Sequence, residues 1–437
     1  MKYTSIDLFA GLGGIRLGFS QAAQKAGLEH ECVFSSEIKP YALKVYKEYF
    51  GDKEVFGDIT TVKVNEDIPN FDVIFSGFPC QPFSSAGARK GFADTRGTLF
   101  FEIERILKEK MEAGHPVKAL LLENVEGLIN HDNGRTLQTI IQHLEALGYK
   151  VTYKLLDAKD FGLPQSRKRV YIVGTLTESI SLDNFPVTTK KLGDILEKGL
   201  PTVDSKFTRA LLKRYSTSEL AGKSIKDKRG GADNIHSWDI GLKGRTTAKE
   251  RELLNLLLRE RRKKHWAEEI GIVWMDGMPL TEEQIRTFYD KPGLHEMLEK
   301  LTKLGYLTFE HPKQQIKENG ITTRVEDTSK PKGYNIVAGK LSFEFSKILD
   351  PEKLAPTLVA MDVSKLGVID GDGIRKLTIR ECQRLCGYPD DYTLSSIEEQ
   401  DAYDLLGNTV CVPVIEAISE RICDYLIKTY DKGGETK

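Results

Sequence analysis

Three features of this chain have residue types suited to chemistry: a cysteine set between prolines, a carboxyl that ends an apolar run, and a fork of arginines. Ser76-Gly77-Phe78-Pro79-Cys80-Gln81-Pro82-Phe83-Ser84 follows an apolar strand. A thiol there sits at the carboxyl edge of a sheet, where open α/β proteins bind ligands. A free cysteine is most often a small buried hydrophobe, but two prolines and a glycine fixing an irregular loop are an odd setting for a residue that only fills space. As a nucleophile, its thiolate needs a lowered pKa or a reaction that discharges it. His115 or His131 would have to approach it in the fold for a cysteine hydrolase, which spacing alone leaves open. Glu123-Asn124-Val125 ends the next apolar run; a carboxyl there packs poorly and suits proton transfer, or else a helix cap. Gln165-Ser166-Arg167-Lys168-Arg169 opens a strand in which Gln165, Arg167 and Arg169 share one face. Two guanidiniums on one face suit anions and carbonyl oxygens, or form a solvated basic edge.

A second set of residues suits a nucleoside. Asp7-Leu8-Phe9-Ala10-Gly11-Leu12-Gly13-Gly14 joins a strand to a helix beginning near Ile15, so small residues let a ligand approach backbone at a helix N-terminus. Arg16 stands where a dinucleotide fingerprint needs its third glycine, which disfavours a nicotinamide dehydrogenase. Glu37 ends the second strand and can accept hydrogen bonds from ribose hydroxyls; Asp58, in Gly57-Asp58-Ile59-Thr60, is placed for an adenine amino group at the end of a third strand. Either acid alone is equally a surface carboxylate.

The elements that must position these groups follow from the apolar pattern. Runs at Tyr3 to Phe9, Glu31 to Ser36, Asp72 to Ser76, Ala119 to Leu122, Val151 to Leu156 and Arg169 to Thr175 alternate with amphipathic stretches such as Leu99 to Glu109 and Thr136 to Leu147. That alternation predicts an α/β fold with a doubly wound, mostly parallel sheet over residues 1–176. A different domain is expected over 177–376, where Pro186, Pro201, Gly230 and Gly231 interrupt the pattern, and a C-terminal segment over 377–437 whose last helix, Val412 to Lys428, returns to the first domain. Thr247 to Gly271 reads as one long basic helix, followed by helices at Leu280 to Tyr289 and Leu294 to Leu304 and by strands at Tyr306 to His311 and Thr322 to Val325. Together these suggest a winged helix-turn-helix over 247–325.

Composition bounds the function. The 437 residues carry 63 Lys and Arg against 64 Asp and Glu, but Lys206 to His265 holds 17 Lys and Arg against 7 Asp and Glu, a local +10 that leaves −11 elsewhere. A neutral total hides a polarised molecule suited to a polyanion. No apolar stretch reaches the ~18 residues of a membrane span and no signal-peptide pattern opens the chain, so a cytoplasmic protein without a membrane partner is expected. The six cysteines and eight histidines form no ligand cluster, so no metal is expected.

Taken in order, Phe9 to Gly14, Glu37, Gly57 to Thr60, Gly77 to Ser84, Glu123 to Val125 and Gln165 to Arg169 resemble the DNA (cytosine-5) methyltransferase family, bacterial restriction-modification type. Arg380 to Pro389 and Gly407 to Val410 are similar to that family's last two blocks. The resemblance implies a class I adenosylmethionine-dependent fold with an inserted target-recognition domain. It also implies transfer of a methyl group from S-adenosylmethionine to C5 of a cytosine flipped out of duplex DNA, through a covalent adduct between Cys80 and C6. Cys80, Glu123, Arg167 and Arg169 would be catalytic, the two arginines holding O2 and backbone phosphate. Phe9, Gly11, Leu12, Gly13, Glu37, Asp58, Ile59, Pro79, Leu99, Asn408 and Thr409 would hold the cofactor, with Ile38 where some members carry a large aromatic. Gln81, Ser84 and Gln165 would serve DNA binding, and Arg259, Arg261, Arg262, Lys263 and Lys264 would contact its backbone. The implied partners are double-stranded DNA and a cognate restriction endonuclease, the enzyme acting as a monomer at the nucleoid. A tRNA cytosine-5 methyltransferase and a non-enzymatic DNA-binding regulator are the competing readings.

Overall fold

The computed structural model describes residues 2–79, 99–228, 231, 233–318, 321–337 and 343–431. The chain forms two units, one of residues 1–197, 351–364 and 377–437 and the other of 198–350 and 365–376.

The first unit is a six-stranded sheet built from β1 (Lys2–Leu8), β2 (Glu29–Ser36), β3 (Val73–Ser76), β4 (Ala119–Val125), β5 (Lys150–Asp157) and β6 (Lys168–Thr175), in the order β2-β1-β3-β4-β6-β5. The pairs among β1 to β4 are parallel; β6 runs antiparallel to both β4 and β5, because the connection from β5 to β6 is too short for a crossover. Strand periodicity sends alternate residues into two cores. Val73, Phe75, Leu121, Tyr171 and Val173 face one, while Ile74, Leu120, Leu122, Val170 and Ile172 face the other. Helices α1 (Gly14–Lys25), α2 (Pro40–Phe50), α3 (Val64–Asp67), α4 (Leu99–Glu112) and α5 (Arg135–Ala146) connect the strands, with α4 and α5 on the second core. The third strand expected before Asp58 is absent. That segment makes only a bridge between Ser36 and Phe56, and Asp58 caps a short 3-10 turn over Ile59–Thr61. Gly51 to Gly57 has too few apolar residues to earn a place in the sheet.

The second unit starts later than the prolines suggest. Ile180 and Leu182 pack into the first core, and Leu192 N donates to Lys353 O, so residues 177–197 run as a strap over the first unit until Glu197. The strap's apolar residues have a core to enter, and its one proline, Pro186, is compatible with an extended chain.

Within the second unit the elements are α6 (Lys206–Arg214), α7 (Thr217–Leu220), β7 (Ser224–Ile225), β8 (Asn234–Ile235), α8 (Ala248–Glu260), α9 (His265–Ile270), α10 (Glu282–Arg286), α11 (Leu294–Lys303), β9 (Leu307–Glu310), β10 (Lys313–Glu318), β11 (Ile321–Glu326), β12 (Gly333–Ile336), β13 (Lys347–Ile348), β14 (Leu366–Asp370) and β15 (Gly373–Lys376). A five-stranded sheet, β15-β14-β13-β7-β8, lies beside a helical subdomain whose core holds Leu253, Leu257, Trp266, Leu298 and Tyr306.

The expected long basic helix is two helices. Thr247 caps α8 through a box with Glu250; α8 then stops at Arg261, and α9 starts after Lys264. Five cations between Arg259 and Lys264 with only Glu260 among them repel one another across successive turns, which disfavours continuing the helix. The expected wing also differs: β9 pairs with β12, and the 322–325 segment pairs instead with β10 in a separate hairpin. Leu280 bridges antiparallel to Tyr334, so the small sheet extends through residue 336 rather than ending at 325.

The chain returns to the first unit with α12 (Ile379–Cys386), α13 (Glu399–Asn408) and α14 (Val412–Leu426). Helix α14 completes the first core by packing on α1. The approach is close enough that a Cβ at Gly18 would lie 2.7 Å from the Ile415 side chain, so only glycine fits there. No helix among the described residues is long and apolar enough to cross a membrane.

Candidate active site

At the carboxyl ends of β1 to β4 lies a cleft of about 920 Å³. The turn after β1 forms one wall. Phe9, Gly11 and Gly13 all have positive φ, and Gly13 N donates to Ala10 O, a tight turn that leaves the N-terminus of α1 without a side-chain cap. A Cβ at Gly11 would meet nothing within 4 Å, so the backbone there is bare toward the cleft. Glu37, at the end of β2, is held from both sides: Oε2 accepts from Gly11 N (2.8 Å), and Oε1 accepts from Ile38 N and Lys39 N (both 2.8 Å). A carboxylate fixed by three backbone donors keeps its aim, with lone pairs left for a ligand's hydroxyls. Ile38 is 70% exposed beside it. Asp58 Oδ1 accepts from Thr60 N (2.9 Å), while Arg105 of α4 donates to Ile59 O (3.2 Å) and fixes the turn from behind. Pro79 and Leu99 line the cleft, as do Asn408 and Thr409 from the end of α13. Asp404 accepts from Lys39 Nζ and Tyr41 Oη (both 2.7 Å), tying α13 to α2 across this rim.

The opposite end of the cleft carries a buried carboxyl. Glu123 is buried at the end of β4, and Arg169 Nε donates to its Oε1 at 3.0 Å. Burial raises the Glu123 pKa, with Arg169 and then Arg167 pulling it back. The result is a carboxyl able both to hold and to yield a proton. Asn124 lines the cleft and fixes the neighbouring loop: its Nδ2 donates to Phe78 O (2.9 Å) and its Oδ1 accepts from Val125 N. The described part of that loop reaches Pro79; Cys80, Gln81 and Ser84 lie outside the described residues.

A family profile described as C-5 cytosine-specific DNA methylase matches residues 3–424. The chain belongs to that family. It is 57% identical over 424 residues to the Type II methyltransferase M.NlaIV of Neisseria lactamica, covering 95% of this chain and 98% of that one. It is 41% identical to M.BanI of Aneurinibacillus aneurinilyticus, over 96% of this chain and 95% of the relative. A crystal structure of Dnmt2 methyltransferase from S. pombe shares the fold at TM-score 0.54 and 17% identity, covering 98% of this chain and 99% of that one. The protein is therefore a DNA cytosine-5 methyltransferase, and the tRNA-enzyme and regulator readings fall away.

Two residues of this methyltransferase do something other than the sequence suggests. Arg167 is 2% exposed, and its Nη atoms donate to the carbonyls of Leu358 (2.8 Å), Gly407 (3.1 Å) and Thr409 (2.6 Å). Its fork is spent on the chain's own backbone, and Arg169 is the arginine that meets Glu123. Gln165 is fully buried and cannot touch DNA. Its Nε2 donates to Leu385 O and its Oε1 accepts from Leu358 N, so it staples the 351–364 segment to α12.

The sequence reading assigned Asp7 no role. It lines the cleft beneath the β1 turn, accepts from Tyr46 Oη at 3.0 Å, and burial pushes its carboxyl up to about 7. A single acid ending an apolar strand was the available signal, the same one that marked Glu37 and Glu123. Arg16 forks onto Asp52 (2.5 and 3.1 Å) and lies over the Phe50 ring, tying α1 to α2. Among the described residues no group of His, Cys, Asp or Glu is arranged to hold a metal ion.

Of the five cations proposed for DNA backbone, Arg259, Lys263 and Lys264 are exposed and Arg262 pairs with Asp276 (2.7 Å). Arg261 departs from expectation: it is 5% exposed and donates to Asn335 Oδ1 (2.5 Å) and Ile336 O (3.3 Å), which makes it an interior residue.

Proposed function

We propose that the enzyme methylates a flipped-out cytosine within a specific duplex sequence, using Cys80 as nucleophile, and that the cleft takes both S-adenosylmethionine and the base. The buried Glu123–Arg169 pair, at the cleft end nearest the Gly77 to Pro79 loop, carries this reading. S-adenosylmethionine supplies an electrophilic methyl group. Glu37 would receive its ribose hydroxyls, Asp58 and Ile59 would border the adenine, and the bare backbone at Gly11 with Leu12, Gly13, Asn408 and Thr409 would enclose the rest. The fit rests on Glu37, a rigid acceptor beside a turn with no Cβ in the way.

C5 of cytosine is a poor nucleophile until a group adds across the C5–C6 double bond. The Cys80 thiolate forms the bond to C6 while N3 takes the proton of Glu123, and the displaced electron pair makes C5 nucleophilic. Arg169, set against Glu123, would direct its remaining donors at O2. After C5 is alkylated, water takes the C5 proton, the freed electron pair forms the C5–C6 double bond and expels the thiolate from C6, and N3 returns its proton to Glu123. Flipping the base costs a few kcal/mol, which phosphate neutralisation by the second unit would offset.

The Type II naming of the relatives supports a restriction-modification setting with a cognate endonuclease blocked at the same site; the enzyme would work there as a monomer. Incubation with a 5-fluorocytosine duplex and methyl donor tests the mechanism. The expected result is a covalent protein–oligonucleotide product through Cys80, and Cys80→Ser should form none while still binding the donor. A wild-type protein that methylates DNA but is never trapped would overturn it.

A further inference from the structure

The helical subdomain of the second unit has the order of a winged helix: α8, a bridge at Leu280, α10, α11, then β9 and β12 flanking a hairpin. In that arrangement the helix after the turn, here α11, is the expected reader, with its first residues at the base edges. Its chemistry is wrong for that task. The first turns of α11 expose Glu296 and Glu299, and His295 is tied at 2.8 Å to Glu282 of α10. Lys300 turns back to pair with Glu250 of α8 (2.7 Å). A phosphate approaching this face would meet carboxylates first.

The cations collect elsewhere, where α8 gives way to α9. Arg261 turns inward there, and through Asn335 it joins a network that also binds Gly277 O (3.1 Å) and Glu310 Oε1 (2.8 Å). A buried guanidinium held only by neutral acceptors is costly, and its Nε has no partner among the described residues. What it achieves is to pin the end of α8 to β12, beside which Arg259, Lys263 and Lys264 are exposed, Lys263 Nζ resting on Glu260 Oε1 at 2.8 Å. Beside the corner, Trp274 is 39% exposed, donates to Arg262 O (3.1 Å) and lies 5.6 Å from Lys264 Nζ. Clefts of about 760 and 540 Å³ flank the corner. Arg259 lines the first beside His236, whose Nδ1 donates to Lys226 O (2.6 Å). Arg261 lines the second beside Lys228 and Lys313.

We propose that the second unit grips duplex DNA with the α8–α9 corner, Arg259, Lys263 and Lys264 neutralising phosphates and Arg261 acting as the positioning residue, and that α11 is not the reading helix. The inference rests on the duplex-DNA reading above and adds which surface meets the DNA. The partner follows from charge complementarity: a fixed turn of cations matches a polyphosphate backbone.

The test measures affinity of the full-length protein for a plasmid that the wild type methylates, as a function of salt. Arg259→Gln/Lys263→Gln/Lys264→Gln should weaken binding roughly ten-fold or more at 0.1 M salt and flatten the log–log salt slope by about 2.7, one 0.9 increment per lost phosphate contact. Donor binding by calorimetry should be unchanged. His295→Ala/Lys303→Ala on α11 should stay within two-fold of wild type. Arg261→Lys should weaken binding without touching the donor site; if it fails to fold, the exposed triple still decides. A triple variant with wild-type affinity and slope, or an α11 variant that alone weakens binding, overturns the proposal while leaving the enzyme's activity intact. A wild type that transfers no methyl to any duplex would instead overturn the function it rests on.

Discussion

Arg167 in the first unit and Arg261 in the second are both buried guanidiniums that donate mainly to neutral oxygens, yet they organise their surroundings differently. Arg167 gathers three carbonyls from two segments distant in sequence, those of Leu358, Gly407 and Thr409. It draws separate parts of the chain into one cleft wall. Arg261 binds one amide oxygen and one carbonyl on β12 and fixes a single corner. The first unit places its chemistry on a scaffold knitted across the sequence, whereas the second presents its charge on a locally folded turn. Damage should therefore spread in the first unit and stay local in the second.

The largest effect should come from the reactive pair. Glu123→Gln keeps the shape but cannot yield a proton to N3, so tritiated methyl transfer should fall about 10²- to 10⁴-fold with donor affinity unchanged. A loss under ten-fold would remove Glu123 from the chemistry. Next, Arg167→Met strips donors from three buried carbonyls and should lower unfolding free energy by roughly 3 kcal/mol, read by urea titration, with methylation lost in parallel. If stability held while only activity fell, Arg167 would be a substrate contact after all.

A third effect is visible in pH. Burial holds Asp7 up to about 7 against 3.8 for the free side chain, so between those values the folded form keeps a proton that the unfolded chain has released. Its contribution to stability is complete below 3.8 and is lost as pH rises toward 7, at up to about 1.4 kcal/mol per pH unit. Relative to Asp7→Asn, the wild type without donor should therefore weaken over that window. His30 opposes it. Bonded to Ser5 and Ser20 and depressed to about 4 by burial, it stays neutral where the unfolded chain is protonated, so its contribution is present above 6.5 and lost as pH falls. Parallel stability curves for wild type and Asp7→Asn would show that Asp7 is ionised throughout. The smallest effect belongs to the second unit: Thr247→Ala removes the cap of α8 and should cost about 1 kcal/mol while sparing donor binding.

The sequence marked residues whose role is set by where a strand ends. Glu37 and Glu123 each terminate an apolar run, and that position alone brings them to the cleft. Asp7 ends β1 in the same way but sits in a motif dominated by glycines, so its burial under Tyr46 did not show. Gln165 and Arg167 were legible as a pair but not in their task, because their partners arrive from residues near 358, 385 and 407, which no local pattern foretells. The split of the basic helix was hidden for a similar reason: helical periodicity continues through Arg261, and only the Asn335 acceptor shows that it turns inward.

The closing of α1 against α14 sets the timing of biogenesis. Tyr3 Oη donates to Leu426 O, 423 residues further on, so the opening strand emerges from the ribosome well before the helix that covers it. At roughly 5–20 residues per second, that delay is about twenty seconds to a minute and a half. During that interval the second unit, encoded in between, has its own core to collapse upon, while the apolar face of α1 has none. A nascent chain of this enzyme should lean on chaperones until its last helix appears, and a message cut short before Val412 should yield a folded second unit attached to an unfinished catalyst.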